Sequence, residues 1–187
     1  IDVAGASQHK VPVMIAVGAN ALSVAEQALA LMFAVAKSLP YLDRRIRDGH
    51  WDKATYVCTE LTGRALGVVG LGNIGRTLIS LVRPLRMPVY GYDPQIRTDA
   101  DIPGIKLVDS LDELLRHSEV LSLHAPLTPR TRHMIGREQL AVMKRGSIVI
   151  NTARGGLIDT EALVEALKSG QLLGAGLDTF EEEPPAK

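Results

Sequence analysis

The sequence predicts an α/β protein built on a Rossmann-type doubly wound parallel sheet. Three observations predict it. Short apolar runs alternate with helical stretches over most of the chain, as in βαβ units whose sheet is covered on both faces. The phrase Gly70-Leu71-Gly72-Asn73-Ile74-Gly75 stands between an apolar run and a helical stretch, the context a dinucleotide-binding turn requires. An acidic residue, Asp93, closes the next apolar run.

The elements follow in order. Val11 to Val17 reads as a strand. Ser23-Val24-Ala25-Glu26 has the form of a capping box, so a helix is expected from Val24 to about Ser38, stopping before Pro40. That helix is apolar nearly all round, which places it in a core or at a contact between subunits. Tyr41 to Gly63 is polar and irregular and reads as a solvated arm. Strands are then expected at Ala65–Gly70, Val89–Tyr92, Lys106–Val108, Val120–Leu123, Ser147–Ile150 and Gly174–Leu177. Helices are expected at Ile74–Val82, Leu111–Arg116, Arg137–Met143 and Thr160–Lys168. Ser110 with Glu113 forms a second capping box, and Gly170 stands where a left-handed helix stop belongs.

Composition bounds the function. The chain has 187 residues, 46% apolar and 22% charged, enough for one domain with a substantial core and too apolar for disorder. Lys plus Arg and Asp plus Glu are both 21. With no basic excess, neither nucleic acid nor a membrane surface is an expected partner. A single cysteine, Cys58, excludes a disulfide framework and a thiolate metal cluster, and suits a reducing, cytoplasmic compartment. None of the five histidines is paired at a metal-ligand spacing, so no metal is expected. The longest apolar stretch, Ala28 to Ala36, is too short to span a bilayer. The start lacks both a methionine and a basic signal region, and the chain ends in mid-phrase at Pro184-Pro185-Ala186-Lys187. A piece of a longer protein is expected.

Several residues are candidates for chemistry. Gly70 allows a tight turn, Gly72 lets the backbone approach a pyrophosphate, and Gly75 lets the helix pack against the strand. The amides of Asn73 and Ile74 would face that anion at a helix N-terminus. Asp93 lies 18 residues after Gly75, close to the interval expected of a ribose-binding acid. Its carboxylate would repel a 2′-phosphate, which favours NAD over NADP. FAD or S-adenosylmethionine would use a similar framework, and Asp93 also suits the start of an Asp-Pro turn. Arg154, in Asn151-Thr152-Ala153-Arg154-Gly155-Gly156, is delivered past a strand end to the rim of the crevice, where a guanidinium can grip a carboxylate; its position suits a solvated loop arginine equally well. Asp178 ends the last strand at the same rim and could accept from a carboxamide or serve as another turn or cap residue. His124 follows the fourth strand and reads as a loop-packing residue. The acidic run Glu181-Glu182-Glu183 reads by itself as solvated.

Taken together, Ser23 to Glu26, Gly70 to Gly75, Tyr92-Asp93-Pro94, His124-Ala125-Pro126-Leu127, Asn151 to Gly155 and Gly176 to Pro184 resemble the D-isomer-specific 2-hydroxyacid dehydrogenases. The similarity to the phosphoglycerate dehydrogenase branch is particularly strong, and it covers essentially the whole chain. The resemblance implies that Asn73 and Ile74 contact the NAD pyrophosphate and Asp93 its adenosine ribose. It implies that Ala125 lines the cofactor cleft, with Thr152, Ala153 and Asp178 near the nicotinamide. Arg154 would hold the carboxylate and carbonyl of a small 2-hydroxy or 2-oxo acid. Glu183 would hydrogen-bond the catalytic histidine and raise its pKa. In the family that histidine follows the Glu-Pro segment, and none of the five histidines here aligns with it, so this chain alone is expected to be inactive. Residues 1–17 would be the last segment of an otherwise missing substrate domain, and residues 18–187 the NAD-binding domain, cut at its C-terminal end. A homodimer is expected through the Val24–Ser38 helix and the arm after it. The family also includes NAD-sensing corepressors, so a non-catalytic binding module is the alternative.

Overall fold

The computed structural model describes residues 1–96, 98 and 102–185. Its centre is a six-stranded sheet formed by β1 (Leu66–Val69), β2 (Val89–Tyr92), β3 (Ile105–Leu107), β4 (Val120–Leu123), β5 (Ser147–Asn151) and β6 (Leu172–Leu177). The spatial order is β3-β2-β1-β4-β5-β6 and every pairing is parallel. This is the doubly wound order, with its reversal between β1 and β4. β1, β4 and β5 are buried at every residue. That is why they read in the sequence as continuous apolar runs rather than alternating ones.

Helices α1 (Val3–Gln8), α2 (Ala21–Ala36), α3 (Leu39–Arg47), α4 (Asn73–Val82), α5 (Leu111–His117), α6 (Arg137–Val142) and α7 (Thr160–Lys168) complete the chain. Two apolar cores result. One joins α2 and α4 to the sheet through Ala25, Ala28, Met32, Leu78 and Val82. The other joins α5, α6 and α7 through Leu114, Leu115, Leu140 and Leu163. Helix α2 lies close on β6 because β6 carries glycine there. A Cβ at Gly174 would stand 2.6 Å from Val35 Cγ1, and one at Gly176 would stand 2.8 Å from Leu31 Cβ.

The structure corrects four expectations. Val11 to Val17 forms no strand; Val11, Met14, Ile15 and Val17 are exposed. The run is apolar, but no neighbouring strand is there to take its backbone hydrogen bonds. α2 starts at Ala21, with Asn20 as its N-cap, so Ser23 lies inside the first turn and no capping box forms. The buried stripe Ala21, Ala25, Ala28, Met32, Ala36 begins before Ser23, and burial of that stripe outweighs one local cap. The arm from Tyr41 is not wholly irregular, because α3 continues to Arg47 with Pro40 in its first turn. Proline is tolerated there, where its missing N–H has no partner to lose. The second capping box is only half formed: Ser110 Oγ accepts from the Glu113 N–H at 3.1 Å, but Glu113 takes the Asp109 amide at 3.2 Å rather than that of Ser110. The remaining elements lie within a residue or two of their expected bounds. Gly170 has φ +68, as a left-handed helix stop requires. No single helix among the described residues is long and apolar enough to cross a membrane.

His124 follows β4 and is mostly buried. Its Nε2 lies 2.9 Å from Ser122 Oγ, and its buried Nδ1 has no partner. Burial lowers its pKa to about 4. The folded chain therefore binds fewer protons than the unfolded chain between pH 4 and an ordinary histidine value of about 6.5.

Two stability outcomes follow. On acidification the unfolding free energy should be undiminished by His124 above about pH 6.5, and should fall by ~3 kcal/mol in all as pH drops to about 4. Urea unfolding across that range reads the slope, and His124→Asn should remove this share of it. Gly75→Ala would put a Cβ 2.2 Å from the Gly70 carbonyl oxygen, a backbone atom, and should cost about 1–3 kcal/mol in the same assay. Gly72→Ala meets nothing within 4 Å and should stay within about 1 kcal/mol of the parent chain.

Candidate functional site

The carboxyl ends of six parallel strands open on one rim, and the residues singled out in the sequence gather along it. After β1 the chain turns at Gly70, whose φ of +89 favours glycine. A Cβ at Gly70 would stand 2.7 Å from the backbone of His124 and 3.0 Å from the Ala125 nitrogen. The glycine loop is thereby pressed against the end of β4. Gly72 is the N-cap of α4 in an extended conformation, with no side-chain cap on that helix. The space above Gly72 is open. The first-turn amides of Asn73 and Ile74 have no intrahelical acceptor and line, with His124, Gly18 and Asn20, a cleft of about 230 Å³.

Asp93 ends β2 beside this loop. Its Oδ2 accepts from the Leu71 amide at 3.0 Å, and its Oδ1 accepts from the Gln95 amide at 2.9 Å. The turn reading of Asp93 is seen directly, and the same carboxylate also touches the glycine loop, next to where the ribose reading would place the cofactor.

On the other side of the switch point, β5 ends at Asn151. Its buried side chain donates to the Arg154 carbonyl at 2.9 Å and accepts from the Ala153 amide at 3.1 Å. That clamp folds the loop back so that Arg154 projects, exposed, from the rim. Thr152 is buried beneath it, and its hydroxyl has no partner. Asp178 follows β6; its amide donates to the Asn151 carbonyl at 3.0 Å, and its Oδ1 accepts from Gln27 Nε2 at 3.4 Å.

Arg154 and Glu183 line one cleft of about 220 Å³ together with Arg132, Gly155, Phe180 and Glu181. The structure thus brings together two residues 29 positions apart in the chain. Glu183 Oε1 accepts from the Phe180 amide at 3.0 Å. A larger cleft of about 340 Å³ lies between α6 and α7, by Ser169 and Gln171, away from this rim.

Three features had no role assigned from the sequence: the Asn151 clamp, His133 and Glu181. Glu181 is not merely solvated. It meets Thr160 and His133, and these bonds, that of the Thr160 hydroxyl first, hold its carboxyl below the usual range. Asn151 was readable in principle as an Asx turn following a strand. The Glu181 contacts span 21 and 48 positions and leave no local signal.

The residues present fit a dinucleotide. The open space above Gly72 is where a Cβ would obstruct a pyrophosphate. The uncapped amides of Asn73 and Ile74 suit an anion. The buried, unpartnered Thr152 hydroxyl, which ought to be satisfied, stands at the opposite end of the crevice.

Comparison with known proteins agrees. Residues 29–187 match the model of the D-isomer specific 2-hydroxyacid dehydrogenase NAD binding domain. The chain is 46% identical over 186 residues to D-3-phosphoglycerate dehydrogenase of Methanocaldococcus jannaschii, covering 99% of this chain and 36% of that protein. It is 44% identical over 185 residues to hydroxypyruvate reductase of Thermotoga maritima, covering 99% and 60%. The crystal structure of apo D-mandelate dehydrogenase from Rhodotorula graminis superposes with a TM-score of 0.91 at 34% identity, over 100% of this chain and 57% of that one. The chain thus spans about a third to three-fifths of the length of these relatives. With its sheet order, glycine loop and rim in agreement, the chain belongs to the D-isomer-specific 2-hydroxyacid dehydrogenases and carries their NAD-binding domain.

Proposed function

We propose that the chain forms the cofactor half of the active site of an NAD-dependent dehydrogenase acting on the CH–OH carbon of a small D-2-hydroxy acid, or on the matching 2-oxo acid. The observation that carries this reading is the shared cleft of Arg154 and Glu183 beside the strand ends. Residues 18–187 make the NAD-binding domain. Residues 1–17, with no buried residue among them, belong with the neighbouring substrate domain.

When bound, NAD supplies the acceptor or donor of hydride at its nicotinamide ring. The chain's own residues do the rest. Asn73 and Ile74 present backbone N–H groups to the pyrophosphate, and Gly72 leaves room for it. Asp93 accepts from the ribose hydroxyls and excludes a 2′-phosphate by like charge. Ala125 lines the cleft. Thr152, Ala153 and Asp178 border the nicotinamide, with Asp178 an acceptor for its carboxamide. Arg154 grips the substrate carboxylate with two parallel N–H bonds and polarises the reacting carbonyl. Glu183 orients an acid–base histidine and favours its protonated form. On this reading neither His124, which is held by Ser122, nor His133, which is held by Glu181, takes that place.

Fluorescence titration should show that the 187-residue chain binds NADH and prefers it to NADPH by roughly tenfold or more. Gly72→Ala should abolish binding while the chain stays folded, and Asp93→Ala should narrow the preference. Lack of NADH binding by the parent chain would reject the reading. The same chain should oxidise neither D-3-phosphoglycerate nor D-lactate, and measurable turnover by it would show that its own groups complete the acid–base chemistry.

We also propose a homodimer in the cytoplasm. The arm after α2 exposes Leu39, Tyr41, Ile46 and Trp51, an apolar set left largely to solvent in one copy. The lone thiol, Cys58, is exposed and free, which suits a reducing compartment. Light scattering at tens of micromolar should give twice the chain mass; a clean monomer would reject the dimer.

A further inference from the structure

Glu183 stands on a segment that has left the sheet. From Asp178 to Pro185 the chain forms no helix and no strand, yet it must hold one carboxylate against the Arg154 loop. Three contacts hold it. The backbone of Phe180 lies on Gly155, where a Cβ would come within 1.9 Å of the Phe180 carbonyl carbon. The Phe180 amide donates to Glu183 Oε1 at 3.0 Å. The third contact is the carboxylate of Glu181.

That carboxylate is engaged on both oxygens. Oε2 accepts from the Thr160 amide at 3.2 Å and from the Thr160 hydroxyl at 2.5 Å. Oε1 lies 2.5 Å from His133 Nε2. Thr160 opens α7, where Asp159 already accepts the Ala162 amide at 3.1 Å. Glu181 therefore takes a first-turn amide that the cap leaves over, at the end of the helix that favours negative charge. His133 is fixed as well. Its φ of +50 is in the left-handed region, and its amide donates to the Gly156 carbonyl at 2.8 Å. A non-glycine residue holds that conformation only when its surroundings determine it. Gly155 and Gly156 directly follow Arg154. Through His133 and Thr160, Glu181 thus joins the Glu183 segment to the start of α7 and to the Arg154 loop.

We infer that Glu181 is a positioning residue, whose carboxylate, bound by Thr160 and His133, sets where Glu183 stands relative to Arg154. The inference rests on the dehydrogenase reading above. Glu181 does not exchange protons with substrate, because its oxygens are committed to Thr160 and His133. It acts through Glu183, and placement errors of about 1 Å cost up to ~10²-fold in rate.

The test uses the full-length protein with NAD and a panel of D-2-hydroxy acids. Glu181→Ala should lower kcat about thirtyfold and leave KM for NAD within about twofold. Glu181→Gln keeps an acceptor for Thr160 and a polar group for His133, and should recover kcat to within about threefold. In the double variant Glu181→Ala/Glu183→Gln, kcat should equal that of Glu183→Gln alone, because the two act as a unit. Hydrogen exchange at the Phe180 amide should quicken about tenfold in Glu181→Ala and not in Glu181→Gln. If Glu181→Ala does not fold, Thr160→Val and His133→Asn each remove one partner and should each lower kcat. Parent kcat in Glu181→Ala or in both partner variants, with Glu183→Gln impaired, overturns the inference alone. Losses at 181 and 183 that multiply also overturn it, since they give Glu181 a separate role. A full-length protein that neither binds NADH nor oxidises any acid overturns the dehydrogenase reading and this inference together.

Discussion

The carbonyl oxygen of Gly70 sits where no side chain could share its space. It lies 2.2 Å from the position a Cβ at Gly75 would occupy, and a Cβ on Gly70 would run into His124 and Ala125. Two missing methyl groups therefore let β1, the first turn of α4 and the end of β4 meet at one point. The cofactor crevice is that point. If β1 and α4 stood further apart, the amides of Asn73 and Ile74 would no longer crown the switch between β1 and β4, and Asp93 could not reach the Leu71 amide. The same economy of side chains recurs at Gly174 and Gly176, which bring α2 down on β6. The sheet is covered closely on this face because glycine stands at the crossings.

Much of this was legible because a buried parallel strand announces itself locally. Leu66–Val69, Val120–Leu123 and Ser147–Asn151 are buried at each residue, so apolar runs with turn residues at their ends suffice to find them. The same criterion misleads at Val11–Val17. That run has strand composition, but a strand exists only by pairing, and pairing is a property of the neighbour. α3 was hidden for a complementary reason. Its short apolar stripe, Leu39, Leu42 and Ile46, stands among Arg and Asp residues with no member buried, and Pro40 signals either a stop or a start depending on what precedes it. The start of α2 moved because the alanine stripe that is buried cannot be told from sequence from the rest of an apolar helix.

The site divides in the same way. Its cofactor side is made mainly of backbone: glycine conformations, helix amides and strand ends, whose requirements appear as residue types at fixed spacing. Arg154 and Asp178 could be placed because strand ends point there. Glu183 was assigned a role only through family resemblance, and Glu181 and His133 were assigned none. An acidic triplet is normally solvated, and the partners that give Glu181 its fixed place are 21 and 48 residues away.

That network bears on how Arg154 would serve a substrate on the proposed dehydrogenase reading. A guanidinium sharing a cleft with two carboxylates would ordinarily pair with one of them. Here the carboxylates are occupied by other donors. Glu183 takes the Phe180 amide, and Glu181 takes Thr160 and His133. Among the described residues Arg154 forms no ion pair, and its side chain rests on the neighbouring Ala153 carbonyl at 2.6 Å. A single neutral acceptor is easily exchanged for the charged, bidentate one that an incoming carboxylate offers. Two of the three acids after β6, Glu181 and Glu183, are therefore satisfied by their own segment, by the start of α7 and by His133. On the proposed dehydrogenase reading, this arrangement would keep negative charge close enough to favour a protonated histidine, and off the arginine that would take the acid.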